Sequence, residues 1–450
     1  MLDRNKIAKE LEKLSTNIFT YDDKQFNTAC NKWAEITHKP DFKKQVITSK
    51  SSFLLPSWQG KLTDVFEIKP ELKNYSVLAV DGSQVYPDRH ISGINCFLIN
   101  IGQSHIEYGQ PSKANLSSQP YVFTPDSLFN KQLLNPGASP NGDGSSLRSD
   151  VASDFAQVAS TDRSADASTS SPRACLFNGA RPEPVEGCEF QERFNETFSP
   201  DLVDLKREEL ELEASFKTAH ELNQKYLTQN TPFAVLVDGS LIFWQLESKA
   251  PEIKKYFLNR YFEHLNSFYE NNIPIAGYIS MPKSRELINL LKIGLCRFEV
   301  ANCISCHSLH NTFPCKDVDH VLDTQIASTF LSQNFRSTIF YSNSKIVDLY
   351  PEHLKPCFVY LNIGKEIIRL EFPIWMTQKS EHLDLICKIA IDQSIKGQGY
   401  PVVLSEAHEQ AVIKGFDKDF FYQLICKKSV EQNQRILLSP KSIKKHNVSI

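Results

Sequence analysis

Long apolar runs are missing from this sequence. No stretch approaches the roughly 20 consecutive apolar residues that a spanning helix needs, so neither a membrane protein nor a membrane partner is expected. The opening Met1-Leu2-Asp3-Arg4-Asn5-Lys6 leads into a charged amphipathic segment instead of an apolar leader core, and cytoplasmic residence is the expectation. A surplus of one charge is also lacking. Fifty Lys and Arg stand against 53 Asp and Glu, a formal net charge of -3, which excludes a protein that coats nucleic acid by bulk electrostatics. It leaves room for an acidic site that attracts phosphate only once it has loaded cations. The 11 cysteines are an odd count in a long chain, so a secreted disulfide scaffold is excluded and reduced thiols, some of them on a metal, are expected. No repeat of the solenoid kind is visible. What remains is a chain of 450 residues, 41% hydrophobic and 23% charged, of ordinary globular composition and long enough for two or three domains.

Periodicity divides the chain. Residues 1–70 read as a helical N-terminal extension, with Ile7, Leu11, Leu14 and Ile18 at helical spacing. Residues 71–134 open the core with a strand, Tyr75 to Val80, that stops at Asp81-Gly82-Ser83. A hairpin is expected next, from strands Cys96 to Ile101 and His105 to Tyr108 turning at Gly102-Gln103-Ser104. Residues 135–190 change to Ser, Asp, Gly, Pro and Ala and read as a long disordered, low-complexity insertion. Residues 191–290 resume the core with a helix from Pro200 to Leu227, a strand Phe233 to Val237 ending in Asp238-Gly239-Ser240, a helix Pro251 to Asn271 and a strand Ile275 to Ile279. A Cys-rich loop occupies residues 291–320. Residues 321–450 hold a hairpin (Cys357 to Asn362 and Glu366 to Phe372), a helix His382 to Lys396, a strand Tyr400 to Leu404 and a helix Glu406 to Lys414. Strands alternating with helices predict an α/β fold with a mixed sheet.

Two buried strands end in the same tripeptide, Asp-Gly-Ser. Asp and Gly are common turn formers, so either copy alone reads as a turn; two copies at strand ends also read as paired carboxylates at the edge where open α/β sheets bind ligands. Hydrolysis of a phosphodiester needs phosphate charge neutralised and a water activated, which a pair of divalent cations about 4 Å apart supplies. Such cations take oxygen ligands on rigid elements. Asp81 and Asp238 are the central candidates, and the helix between them offers a third carboxylate in Arg207-Glu208-Glu209-Leu210-Glu211-Leu212-Glu213. Glu208 and Glu209 fall beside the apolar stripe and Glu211 at its flank, so any of the three can face a cleft or belong to a solvated charged face. His408 can ligate a transition cation or be a structural imidazole, and the Tyr400 hydroxyl can orient a phosphate or a water.

Cys296, Cys303, Cys306 and Cys315 form a C-x6-C-x2-C-x8-C array with His307 and His310 inside it. Four thiolates around a C-x2-C can close a structural Zn2+ site; unliganded buried cysteines are the alternative.

The ordered set Val77-Leu-Ala-Val-Asp81-Gly-Ser-Gln84, the Arg207 to Glu213 helix, Val235-Leu-Val-Asp238-Gly-Ser-Leu241, Gly277-Tyr-Ile-Ser280, and Gly399-Tyr400-Pro-Val-Val-Leu404 with Glu406-Ala-His408 resembles the NurA nuclease family. The resemblance implies a ribonuclease-H-like core with flanking helices and a Mn2+- or Mg2+-dependent deoxyribonuclease, exonuclease or endonuclease, that processes single- and double-stranded DNA ends in break repair. It also implies a homodimer and a HerA-type hexameric ATPase as partner. Carried across by motif, Asp81, Asp238, Glu211 and His408 would hold the metal, with Tyr400 beside them. Two other classes compete. An actin-like or sugar-kinase ATPase also ends two strands in Asp-Gly, but the loops here lack the further glycines and Thr that wrap phosphates. A non-catalytic adaptor for a DNA motor would use both aspartates as turn formers only.

Overall fold

Three apolar runs become neighbouring parallel strands because both of their faces are covered by helices, the environment that selects continuous Val, Ile, Leu and Ala runs. The computed structural model describes residues 2–14, 22–86, 91–124, 127, 200–303, 306 and 313–438; the insertion expected at 135–190 lies outside them. One unit comprises Met1–Val122 with Ser199–Ile450, and Phe123–Phe198 forms another.

The strands of the first unit are β1 (Ser57–Trp58), β2 (Val65–Glu67), β3 (Tyr75–Val85), β4 (Ile91–Ser92), β5 (Phe97–Tyr108), β6 (Lys113–Phe123), β7 (Phe233–Asp238), β8 (Ile275–Ile279), β9 (Phe335–Ser337), β10 (Phe340–Tyr341), β11 (Pro356–Asn362), β12 (Ile367–Pro373) and β13 (Leu437–Leu438). The helices are α1 (Arg4–Glu12), α2 (Asp23–His38), α3 (Phe42–Thr48), α4 (Pro200–Gln229), α5 (Pro251–Glu270), α6 (Glu286–Gly294), α7 (Asp323–Phe330), α8 (Ser380–Lys396), α9 (Val402–Ala411) and α10 (Gly415–Glu431). Among the described residues the main sheet runs β1-β10-β11-β12-β8-β7-β3-β5-β6, with β2 and β9 paired beside β11; β4 and β13 pair separately. The pairs β3/β7 and β7/β8 are parallel, whereas β3/β5, β8/β12 and β11/β12 are antiparallel. The fold is therefore a mixed α/β sheet with flanking helices. No described helix is long and apolar enough to cross a membrane.

Helices α2 and α3 bury Ala29, Trp33, Ile36 and Phe42 in a core shared with Leu287, Leu290 and Leu291 of α6 and Ile326 of α7. Trp33 stacks on Phe330 with ring centroids 5.2 Å apart. The N-terminal segment thus carries core residues and, through β1 and β2, strands of the main sheet.

Three expectations about individual elements are corrected, two of them on neighbouring strands. The first concerns Gly102-Gln103-Ser104, which is no turn: β5 runs unbroken from Phe97 to Tyr108, paired with β3 throughout. Gly102 is needed for close approach, because a Cβ there would collide with the backbone of Ala407 and Ala411 at the end of α9. For the same reason β3 does not stop at Asp81 but continues through Gly82 and Ser83 to Val85. The third concerns Tyr400 to Leu404, which is not a strand. Val402 to Leu404 begin α9, whose buried Val403, Leu404, Ala407 and Ala411 recur at helical spacing. The Val403 N–H, without an intrahelical partner at this end, donates to Gln393 Oε1 at 3.0 Å.

The other end of α9 is tied to the sheet. Asn100 Nδ2 donates to the carbonyls of Gln410 (3.1 Å) and Ala411 (2.9 Å), and Ser83 Oγ also donates to Ala411. These bonds satisfy carbonyls that a helix C-terminus leaves unpaired. Replacing Gly102→Val should therefore displace α9 and lower unfolding stability by about 3 kcal/mol, the upper range for overpacking. Denaturant unfolding would read the change; a loss under about 1 kcal/mol would show that the helix yields without strain.

Candidate active site

The register of β3 on β7 decides where the aspartates stand. Val80 is aligned with Val237, so Asp81 and Asp238, one position further along two parallel strands, are side by side at the carboxyl edge of the sheet. Asp81 Oδ1 accepts the Gly82 N–H at 2.8 Å, and Asp81 Oδ2 lies 2.8 Å from His408 Nδ1 of α9. Asp238 accepts a hydrogen bond from the Tyr400 hydroxyl. Tyr400 is held edge-on against Tyr278 of β8 at 5.7 Å between centroids.

Helix α4 crosses above β3 and supplies the third carboxylate. A Cβ at Gly82 would stand 2.6 Å from Glu211 Oε1 and 2.9 Å from Arg207 Cγ, so glycine lets this helix sit directly on the aspartate strand. Glu211 is paired with Arg207 one turn earlier, and its side chain is 12% exposed. The remaining glutamates of the run separate by partner. Glu209 is fully buried against Arg260 Nε (2.5 Å) and Lys206 Nζ (3.0 Å), a structural ion cluster facing α5. Glu213 pairs with Lys217 at 2.7 Å. Glu208 shares the field of Glu211 and Asp204.

Crowded negative charge leaves its mark on proton affinity. Burial, reinforced by Asp81 and Asp238 and opposed by Arg207, pushes the Glu211 carboxyl up to about 8. Burial together with Glu211 does the same to Glu208, also to about 8. Asp238 is raised by burial and by Asp81, against the Tyr400 hydrogen bond. The Tyr400 phenol is raised by burial and by Asp238, so it stays a hydrogen-bond donor at neutral pH.

Asp81, Asp238, Glu211, Tyr400 and His408 are thus brought to one place. Glu208, an alternative candidate for the third carboxylate, lies in the same field, and Arg207 and Asp204 join it without a sequence motif of their own beyond the i,i+4 spacing of Arg207 and Glu211. Among the described residues no three His, Cys, Asp or Glu side chains already stand in ligating geometry. The donor set nevertheless fits a hard divalent cation: it is oxygen-rich, on rigid elements, and its proton affinity is raised by burial and by neighbouring carboxylates.

Cys296, Cys303, Cys306 and Cys315 all line one cavity of about 100 Å³ between Phe53, Lys292 and Phe313, and none is in a disulfide. Cys303 and Cys306 are close enough to raise the Cys315 thiol, whose main cause of elevation is burial. His307 and His310 lie outside the described residues.

A mixed α/β sheet with carboxylates gathered where the parallel pairing of its central strands ends defines a protein with an acidic cluster beside the sheet. A family model, the NurA domain, matches residues 75–413, which span both aspartate strands, α4 and α9. The chain belongs to the NurA family. It also aligns with the crystal structure of the NurA nuclease from Sulfolobus solfataricus at 14% identity, over 96% of this chain and 98% of that one, with a TM-score of 0.42. Among curated proteins none matches.

The raised Glu211 makes stability depend on pH. Its folded value of about 8 exceeds the ordinary 4.5, so its contribution is complete below pH 4.5 and is lost as pH rises toward 8. Metal-free Glu211→Gln should lack that part of the decline. Melting temperatures across this window, compared with the parent, check it; identical slopes would show that Glu211 ionises normally.

Proposed function

We propose that the chain is a metal-dependent DNA nuclease with a ribonuclease-H-like core, hydrolysing phosphodiester bonds at DNA ends. The observation that supports this most is the adjacency of Asp81 and Asp238 on parallel strands, with Glu211 above Gly82, in a member of the NurA family. Asp81, Asp238, Glu211 and His408 are the residues that would hold Mn2+ or Mg2+. Such a cation, when bound, neutralises phosphate charge and lowers the pKa of water.

The chain's own groups have separable roles in this reading. Strand pairing fixes the backbone at Asp81 and Asp238, which holds both carboxylates beside one another where a ligand would be received. His408, hydrogen-bonded to Asp81, stands at the exposed side where solvent and substrate enter, with 61% of its side chain accessible. Tyr400 keeps its proton and can donate it in a hydrogen bond to a phosphate oxygen. Arg207 brings a permanent positive charge beside Glu211, suited to a phosphodiester that approaches the helix.

An ATPase of the actin or sugar-kinase type would need a phosphate against the backbone after Asp81. There the Gly82 N–H is taken by the Asp81 carboxylate and the space over Gly82 by Glu211. Exonuclease and endonuclease action on single- and double-stranded ends, work in double-strand break repair, a homodimeric state, a HerA-type hexameric ATPase as partner and a cytoplasmic setting belong to the same proposal through the family resemblance.

Asp81→Ala and Asp238→Ala should each abolish Mn2+- or Mg2+-dependent cleavage of end-labelled DNA, with melting temperature kept or raised because like charge is removed. Full cleavage by either variant would sink the assignment. A structural Zn2+ on Cys296, Cys303, Cys306 and Cys315 is proposed separately: elemental analysis should find about one zinc per chain, lost in Cys303→Ser with a lower melting temperature. Zinc-free protein of undiminished stability would refute it.

A further inference from the structure

Beyond the carboxyl ends of β7 and β8 the sheet edge opens into a cleft of about 560 Å³, within the usual range for ligand pockets. Gly239 and Ser240, which directly follow Asp238, form part of its wall, so the cleft adjoins the acidic centre. Its character is opposite. Lys283, Arg285 and Arg369 line it against only Glu286 and Glu371. Arg369 is buried and committed, at 2.8 Å, to both glutamates. Lys283 and Arg285 are exposed and form no ion pair among the described residues, so their charge faces the opening.

Trp244 stands on the same cleft and is partly exposed. Its Nε1 donates to Ser240 Oγ at 3.0 Å, and Ser240 Oγ in turn donates to Glu371 Oε2 at 2.6 Å. Glu371 also accepts the Leu241 N–H at 3.0 Å. The indole plane is therefore fixed by a buried carboxylate before any ligand arrives. A pre-oriented aromatic face beside two uncommitted cations is the combination that holds a single nucleic-acid strand: bases stack on the ring and phosphates meet the charges.

We propose that this cleft seats the nucleotides next to the scissile phosphodiester of a single DNA strand, Lys283 and Arg285 holding phosphates and Trp244 stacking on a base. The proposal rests on the nuclease reading of the Asp81/Asp238 centre. It explains how a chain of net negative charge holds DNA: the cation-dependent centre takes one phosphate, and a basic, aromatic-walled cleft takes its neighbours.

The test is fluorescence anisotropy of labelled single-stranded oligodeoxythymidylate with the full chain in EDTA, which reads binding without cleavage. Trp244→Ala should weaken binding roughly tenfold, with Trp244→Phe retaining most of it. Lys283→Gln with Arg285→Gln, both surface changes, should reduce the slope of log affinity against log salt by about 1.4, or 0.7 per phosphate contact. Unchanged affinity and slope in the double variant, or a parent chain that binds no single strand, overturns the proposal. Binding that depends on these residues in a protein that cleaves with neither Mn2+ nor Mg2+ upholds the cleft and sinks the nuclease reading.

Discussion

Mutual repulsion among Asp81, Asp238 and Glu211, imposed by backbone pairing, is the constraint around which this structure is arranged. Asp81 is embedded in a strand paired on both sides, and Asp238 ends a strand flanked by two parallel neighbours. Neither can move apart without breaking sheet hydrogen bonds. Helix α4 then presses Glu211 onto the same spot because Gly82 offers no side chain to hold it off. Burial and the neighbouring carboxylates together raise Glu211 and Asp238, and titratable groups perturbed in this way cluster at functional sites.

The surroundings oppose this repulsion one carboxylate at a time. Arg207 meets Glu211, His408 meets Asp81 and Tyr400 meets Asp238. Arg207 comes from α4, whereas Tyr400 and His408 come from the stretch that enters and forms α9; that helix is anchored by Asn100 and Ser83, and the loop after Asp238 by Glu371. Glu371 is in turn one of three members of a buried cluster with Arg369 and Glu286. Breaking a buried pair of this kind leaves an uncompensated charge and costs about 3–5 kcal/mol. Precision at the sheet edge thus depends on ionic contacts that touch no site residue except through that loop.

Much of the parallel core was legible because its strands are uninterrupted apolar runs and apolar residues recur at helical spacing on α4, even though that helix also buries Lys206 and Glu209. The candidate aspartates were legible because each closes such a run with the same tripeptide. The choice among Glu208, Glu209, Glu211 and Glu213 was not, since four glutamates in six positions all border the stripe. Only the far partners separate them, and Arg260, which claims Glu209, lies on another helix. Gly102 misled for a related reason: a glycine that admits a crossing helix looks the same in sequence as one that makes a turn. Val402-Val403-Leu404 favours a strand locally, and the helix won through burial against β3 and β5. The packing of Trp33 on Phe330 joins residues almost 300 positions apart, which no local periodicity encodes.

The sheet closes differently at its two sides. β1 contributes two residues at one margin, whereas β6 at the other is eleven residues long and almost wholly exposed. Among the described residues no further strand pairs with its outer side, and a long bare strand edge is the kind that invites fibre-like association. Pro120 removes one donor within it, and Lys113 places a charge at its start, two devices that discourage self-templating. An apolar replacement of Lys113 or Pro120 would remove one of these devices at a margin of the sheet while leaving the residues of the acidic centre unchanged.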